Sequence, residues 1–183
     1  MKTYISLLRG INVSGQKKIL MADLKSLYEE LGFTKVQTYI QSGNVVFEYQ
    51  ETKTADLQQV IFNKIQSHYG FEVPNLILLP TEVEKALKNN PYQGIEKMYF
   101  VFLAEQPEKE NIKTLSEFNF DNEFYNLGHK MIYFHCPNGY GKAKLSNNFF
   151  ENKLKVSATT RNLRTTNKLL EMANSQCHSE ENF

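Results

Sequence analysis

Only Gln41, Ser42 and Gly43 separate the β-rich runs 35–40 and 44–49, and this spacing constrains the fold more than any other feature of the chain. So short a reversal leaves no room for a crossover. The two runs must pair as an antiparallel hairpin, with Gly43 supplying the positive φ of the turn. Upstream, residues 4–8 read as a strand, and Met21, Leu24, Leu27/Tyr28 and Leu31 recur at helical spacing until Gly32. Downstream, Leu57, Val60/Ile61, Ile65 and Tyr69 mark a second helix ending at Gly70, and residues 75–79 between two prolines read as a strand. The order βαββαβ is that of the ferredoxin-like split unit, with the first and third strands side by side and two helices on one face of an antiparallel sheet.

The pattern then restarts. Thr81 and Glu84 have capping-box spacing, which predicts a helix within a linker over 81–96. Residues 97–103 form a strand that is apolar at every position from Met98, and Pro107 opens a helix through Leu115 and Phe118. Residues 123–127 and 131–136 pair across Gly128, and 146–154 is helical. A last helix over 162–173 precedes a polar tail, 174–183, expected to be loose. The predicted fold class is therefore α+β: two ferredoxin-like (βαββαβ and βαββα) subdomains over residues 1–80 and 97–173. A strand apolar on both sides suits cover on both faces, so the antiparallel sheets are expected to pack into one unit.

At 183 residues, 41% of them hydrophobic, the chain can fill a substantial core. A formal net charge of +1 argues against a protein that binds polyanions through bulk charge. The apolar run at 4–8 is too short for a signal peptide and that at 98–104 too short for a membrane span, so a soluble cytoplasmic protein is expected. In a reducing compartment Cys136 and Cys177, far apart in sequence, read as free thiols.

In the split unit the first two strands run parallel, which brings the loop after strand one and the hairpin turn to the same end of the sheet. Residues 9–18 should therefore meet residues 41–44, gathering Arg9, Asn12, Gln41, Ser42 and Asn44 around two exposed glycines. This is the chemistry of an anion-binding turn. The same side chains can equally satisfy their own turns while the glycines merely let the chain bend. Local charge favours an anion site: residues 1–22 hold Lys2, Arg9, Lys17 and Lys18 but no acid. In residues 124–170 Glu151 is the only acid among eight Lys and Arg. If the halves bring these segments together, a basic cleft forms. Arginine is scarce, at positions 9, 161 and 164 only. Arg9 and Arg161 read evenly as forked anion ligands or as ties to internal carbonyls and carboxylates, and Arg164 reads as structural or exposed.

The second half offers two more candidates. Gly139, Gly141, Lys142 and Lys144 precede a helix start at Ser146, as in a phosphate-binding loop. Cys136 and Ala143 stand where a nucleotide P-loop needs Gly and Ser or Thr, so it is not one. Thr159, Thr160, Arg161 and Asn162 stand before the last helix, where capping is the simpler role and anion binding the sharper one. Catalytic motifs are lacking, and no cofactor is specified. His135 and Cys136 are adjacent on one strand and diverge, a poor metal geometry, so no metal site is expected and Cys136 reads as a buried structural thiol.

The stretches LLRGINVSGQKKI, YIQSGNVVF, GYGKAKLSNNFFENKL and VSATTRNLRTTNKLLEMA together resemble the bacterial family called domain of unknown function 1697, in order and over nearly the whole chain. The resemblance implies a cytoplasmic protein of two ferredoxin-like subdomains and transfers motif positions without a reaction. Those positions are Arg9, Gly10, Asn12, Lys18 and 41–44 in the first half; in the second they are 144–146, Thr160, Arg161, Asn162 and Lys168. Leu163 stands where the family commonly has Trp, which puts any stacking role of that ring in doubt here.

The reading these features favour is a binding protein for a phosphorylated or otherwise anionic metabolite, nucleotide-like ones included. Its contacts would come from Arg9, Asn12, Lys18, Gln41, Ser42 and Asn44 with Lys142, Lys144, Arg161 and Asn162. The competing readings are a nucleic-acid module displaying Tyr4, Phe47 and Tyr49, and a structural subunit whose polar motifs are only turns and caps.

Overall fold

The computed structural model describes residues 1–13 and 15–177. Two compact units make up the chain: Met1–Glu84 together with the chain from Lys168, and Lys85–Asn167. The fold is α+β, built on two four-stranded antiparallel sheets.

In the first unit the elements run β1 (Lys2–Leu8), α1 (Met21–Glu30), β2 (Thr34–Tyr39), β3 (Asn44–Tyr49), α2 (Thr54–Tyr69) and β4 (Asn75–Leu78). The sheet order β2-β3-β1-β4 is that of the ferredoxin-like split unit. Alternation along β1 sends Tyr4 and Leu8 to the helical face, where they meet Val45 and Phe47 of β3 beneath Leu24, Tyr28, Ile61 and Ile65. Tyr4 and Phe47 stack with ring centroids 5.6 Å apart. The Tyr28 hydroxyl shares a buried 2.8 Å hydrogen bond with the Ser6 hydroxyl, and burial pushes this phenol well above its usual range. Ile5, Leu7, Val46 and Glu48, on the other face, are buried too. The Glu48 carboxylate there is paired at 2.9 Å with Lys35, which sits at positive φ in a register shift of the β2–β3 pair. Gly70, in the left-handed region, ends α2 by donating to Gln66.

Helix α3 (Pro80–Lys88) starts two residues before its expected box. Pro80 opens it, and Glu82, not Glu84, reaches back to accept from the Leu79 backbone N–H at 2.8 Å. Both the Thr81 and the Leu79 registers put an acid at the third helical position, so sequence spacing alone does not separate them.

The second unit runs β5 (Met98–Leu103), α4 (Lys109–Ser116), β6 (Phe124–Gly128), β7 (Met131–His135), a 3-10 turn (Tyr140–Lys142), α5 (Asn147–Leu154), β8 (Ala158–Asn162) and the start of α6 (Leu163–Cys177), a helix that belongs to the first unit from Lys168 onward. Its order, β6-β7-β5-β8, repeats the topology of the first sheet. The unit thus completes βαββαβ where the sequence predicts βαββα. The added strand is the segment expected only to cap the last helix; β8 pairs antiparallel with β5, Arg161 opposite Phe100. Its sequence, ATTRN, shows no apolar alternation because it buries hydroxyls and a guanidinium. Strand β5 is buried on both faces. Helix α6 extends through residues 174–177, into the stretch expected to be loose; the rest of that tail lies outside the described residues. Cys136 is a buried free thiol, whereas the Cys177 side chain lies outside the described residues.

Candidate functional site

The register of the first sheet, Leu7 opposite Asn44 and Asn44 opposite Tyr39, carries the end of β1 and the β2–β3 turn to one rim. Gly43 makes the join. Its carbonyl accepts from the Leu8 N–H at 2.7 Å, and a Cβ built on it would stand 2.6 Å from Leu8 Cβ and 2.8 Å from Ile11 Cδ1. The turn also needs φ of +74° there, so glycine is required twice over.

Asn12 then locks the β1–α1 loop to the hairpin. Its Nδ2 donates to the Ile19 and Gln41 carbonyls, both at 2.9 Å, and its Oδ1 accepts from the Ile19 N–H at 2.9 Å. Asn12 itself takes φ of +55°, a conformation Asn tolerates better than most residues. Asn44 is fully buried and donates to the Tyr39 carbonyl and the Ser42 hydroxyl, which shapes the turn from inside. Both asparagine amides are thus spent on architecture, and what they build is a concave rim.

That rim encloses a hollow of about 370 Å³ walled by Asn12, Gly15, Lys18, the Ile19–Met21 turn and Gln41. Lys18 and Gln41 are exposed and bring the polar heads of the wall. The hollow opens on the start of α1, whose N-cap, Leu20, offers no side-chain acceptor. The backbone N–H groups of that first turn carry the positive end of the helix dipole, which Asp23 in the same turn partly offsets. Among the described lining residues there is no acid. Sequence reasoning passed over Leu20 and Met21; the signal was a helix start without Ser, Thr, Asp or Asn. Arg9, half-buried, is not in the wall, and its backbone N–H donates to the Pro74 carbonyl at 2.9 Å. Lys17 reaches away to the Glu72 carbonyl at 2.7 Å.

In the second unit the loop that imitates a phosphate loop already holds an anion. Both oxygens of the Glu123 carboxylate accept backbone N–H groups, from Lys144 at 2.8 Å and Leu145 at 2.7 Å. A smaller hollow, about 280 Å³, lies between Glu123, Cys136, Asn138, Gly139, Lys142 and Ala143. The Lys144 ammonium lies 5.6 Å from the centre of the Phe120 ring. Burial, reinforced by the Glu123 charge, pushes the Cys136 thiol up to about 11.

The polar residues that follow form an internal network. Thr160 donates to Asn147 at 2.9 Å, the Asn147 amide donates to the Ala158 carbonyl at 3.0 Å, and Glu151 accepts from the Ala158 N–H at 2.8 Å. Arg161 is buried on β8 and donates to the Thr160 carbonyl at 2.9 Å; burial pulls its guanidinium down to about 10, so it remains a cation at neutral pH. Asn162 caps α6 by accepting from the Thr165 N–H at 2.8 Å, and Ser146 caps α5 in the same way through Phe149.

Tyr4 and Phe47 lie inside the helical core and have no exposed face on which a base could stack. No helix of the described residues is long and apolar enough to cross a membrane, and no group of three or more His, Cys, Asp or Glu among them is placed to hold a metal.

Two ferredoxin-like units, the first carrying a basic loop latched to a hairpin, define a class of tandem α+β proteins. The chain belongs to the family described as Protein of unknown function (DUF1697), whose model matches residues 1–133. The match includes the latched loop and stops short of the Lys142–Asn162 stretch. The chain is similar to the conserved bacterial protein SP0830 from Streptococcus pneumoniae, of known structure, with 27% identity and a TM-score of 0.75 over 93% of this chain and 98% of that one. Comparison with curated proteins finds no match.

Proposed function

We propose that the chain binds a small anionic molecule, a phosphorylated metabolite being the best fit, in the hollow between the β1–α1 loop and the β2–β3 turn. The observation that carries this reading is the wall itself. Asn12 holds two loops in fixed register, and the surface they enclose presents Lys18, Gln41 and the open start of α1 without a carboxylate among the described lining residues. A lysine beside a helix start without a side-chain cap is a setting in which a phosphate gains charge pairing and hydrogen bonds together. The volume lies at the lower end of the ~300–1,000 Å³ usual for small-molecule sites. In the second unit Glu123 already occupies the competing backbone nest, which leaves the first unit's hollow as the better seat for an external anion.

A thermal-shift panel of phosphorylated metabolites on the full chain tests the proposal. At ligand concentrations about 100-fold above Kd the shift corresponds to about 2.7 kcal/mol of stabilisation. Lys18→Glu should abolish it while leaving the melting temperature of the unliganded protein unchanged, since Lys18 is exposed. A panel without a shift, or a shift that survives Lys18→Glu, would overturn the reading.

A further inference from the structure

We infer that the molecule bound in this hollow is amphipathic, an organic phosphate or similar anion carrying an apolar body; this rests on the anion-binding reading above and adds the chemistry of the rest of the ligand. Six large hydrophobic side chains stand exposed among the described residues, and three of them, Val13 (61%), Leu20 (71%) and Ile40 (49%), belong to the two latched loops, Leu20 in the wall of the hollow and the other two next in sequence to wall residues. Their positions follow from the Asn12 latch. The residues it ties are Asn12, Ile19 and Gln41, and Val13, Leu20 and Ile40 are the chain neighbours of these three. Leu20 also lines the hollow directly.

Single exposed apolar side chains need no explanation, whereas three carried by one latched pair of loops beside a basic hollow do. Ile40 strengthens the point. It holds φ of +48°, a region that a β-branched side chain rarely enters and that Gly or Asn would fill at less cost. The chain keeps an isoleucine there although half of that side chain faces water. Charge sets the other half of the ligand, because Lys18 stands in the wall of the hollow and residues 1–22 contain no acid. The enclosed volume of about 370 Å³ suits a soluble molecule rather than the plane of a bilayer.

Calorimetric titration of the full chain with methyl, butyl and hexyl phosphate, with hexanol as the neutral control, tests this. Each methylene that leaves water should tighten binding about two- to fourfold, so hexyl phosphate should bind at least ~30-fold more tightly than methyl phosphate. Combining Val13→Ser, Leu20→Ser and Ile40→Ser should flatten that dependence while methyl phosphate still binds, with circular dichroism confirming the fold. Lys18→Gln should weaken all the phosphates alike. Equal binding of methyl and hexyl phosphate would overturn the amphiphile and leave the anion reading standing, whereas no binding of any phosphate would overturn both. Hexanol binding as well as hexyl phosphate, or a chain-length dependence that survives the triple variant, would also overturn the inference. So would association with vesicles containing phosphatidic acid without binding of short alkyl phosphates.

Discussion

Asn12 donates to the Gln41 carbonyl across 29 residues of chain, at 2.9 Å, and this bond joins two loops that only strand topology brings together. The same amide closes its own loop through Ile19, so one side chain makes three hydrogen bonds of 2.9 Å. Asn12→Ala removes all three and leaves the Ile19 N–H in need of a new partner. A net contribution of about 1 kcal/mol per bond predicts a loss of ~2–3 kcal/mol. Urea denaturation should show a lower midpoint at unchanged slope. Asn12→Asp should fall between, because it can still accept from Ile19 but can donate to neither carbonyl.

Gly43→Ala should be the most damaging glycine substitution in this region. The new methyl would stand 2.6 Å from Leu8 Cβ and 2.8 Å from Ile11 Cδ1, and it would add a side chain to a residue at φ of +74°. Overpacking and backbone strain together predict a cost of about 3 kcal/mol or more. Gly10→Ala and Gly15→Ala share the positive φ but place their Cβ in open space, so each should cost only about 1 kcal/mol. A thermal melt of the three variants side by side checks the ranking.

Cys136 should resist alkylation in the folded protein. Burial raises its thiol from an ordinary 9 to about 11, which at pH 8 lowers the thiolate fraction about 100-fold before any steric shielding is counted. Iodoacetamide labelling of a Cys177→Ser variant, compared in buffer and in urea, should show at least that difference in rate. The sign for stability follows. A thiol whose pKa is higher in the folded state stabilises the fold fully at neutral pH, and that contribution is lost as pH rises from about 9 through 11. A Cys136→Ala variant should lose this alkaline dependence.

Glu123→Gln tests whether the second unit's backbone nest requires a charge. Two N–H groups of the loop converge on one carboxylate, and an amide oxygen can replace only part of that charge-assisted pairing. Destabilisation of about 1–2 kcal/mol is expected for Glu123→Gln, and more for Glu123→Ala, by chemical denaturation. Added inorganic phosphate should restore part of the loss in Glu123→Ala by occupying the vacated nest.

The sequence makes the frame legible because its signals are local. Three residues between β-rich runs force the hairpin, Gly32 and Gly70 stop two helices, and the order of elements implies that loop 9–18 and the hairpin turn share a rim. What stays hidden depends on partners distant in sequence. Strand β8 carries Thr159 and Arg161 inward, and a buried guanidinium looks in sequence like a surface one. Glu123 lies one residue outside the acid-poor stretch 124–170, so charge counting leaves out the carboxylate that fills the basic loop. The donors of Asn12 and Asn44 read from sequence as open equally to a ligand or to their own turns, and the structure spends them on backbone carbonyls and the Ser42 hydroxyl.

Ile40 offers the sharpest separation of stability from binding. At φ of +48° its β-branched side chain crowds its own backbone, and only about half of its surface is covered in return. Ile40→Asn keeps the turn geometry, relieves the crowding and gives up little buried area, so a gain of about 1 kcal/mol in stability is expected. A residue retained only for packing would show the reverse, a loss on substitution. Melting temperature and alkyl phosphate affinity measured on the same variant should move in opposite directions, with the fold more stable and the apolar share of binding weaker.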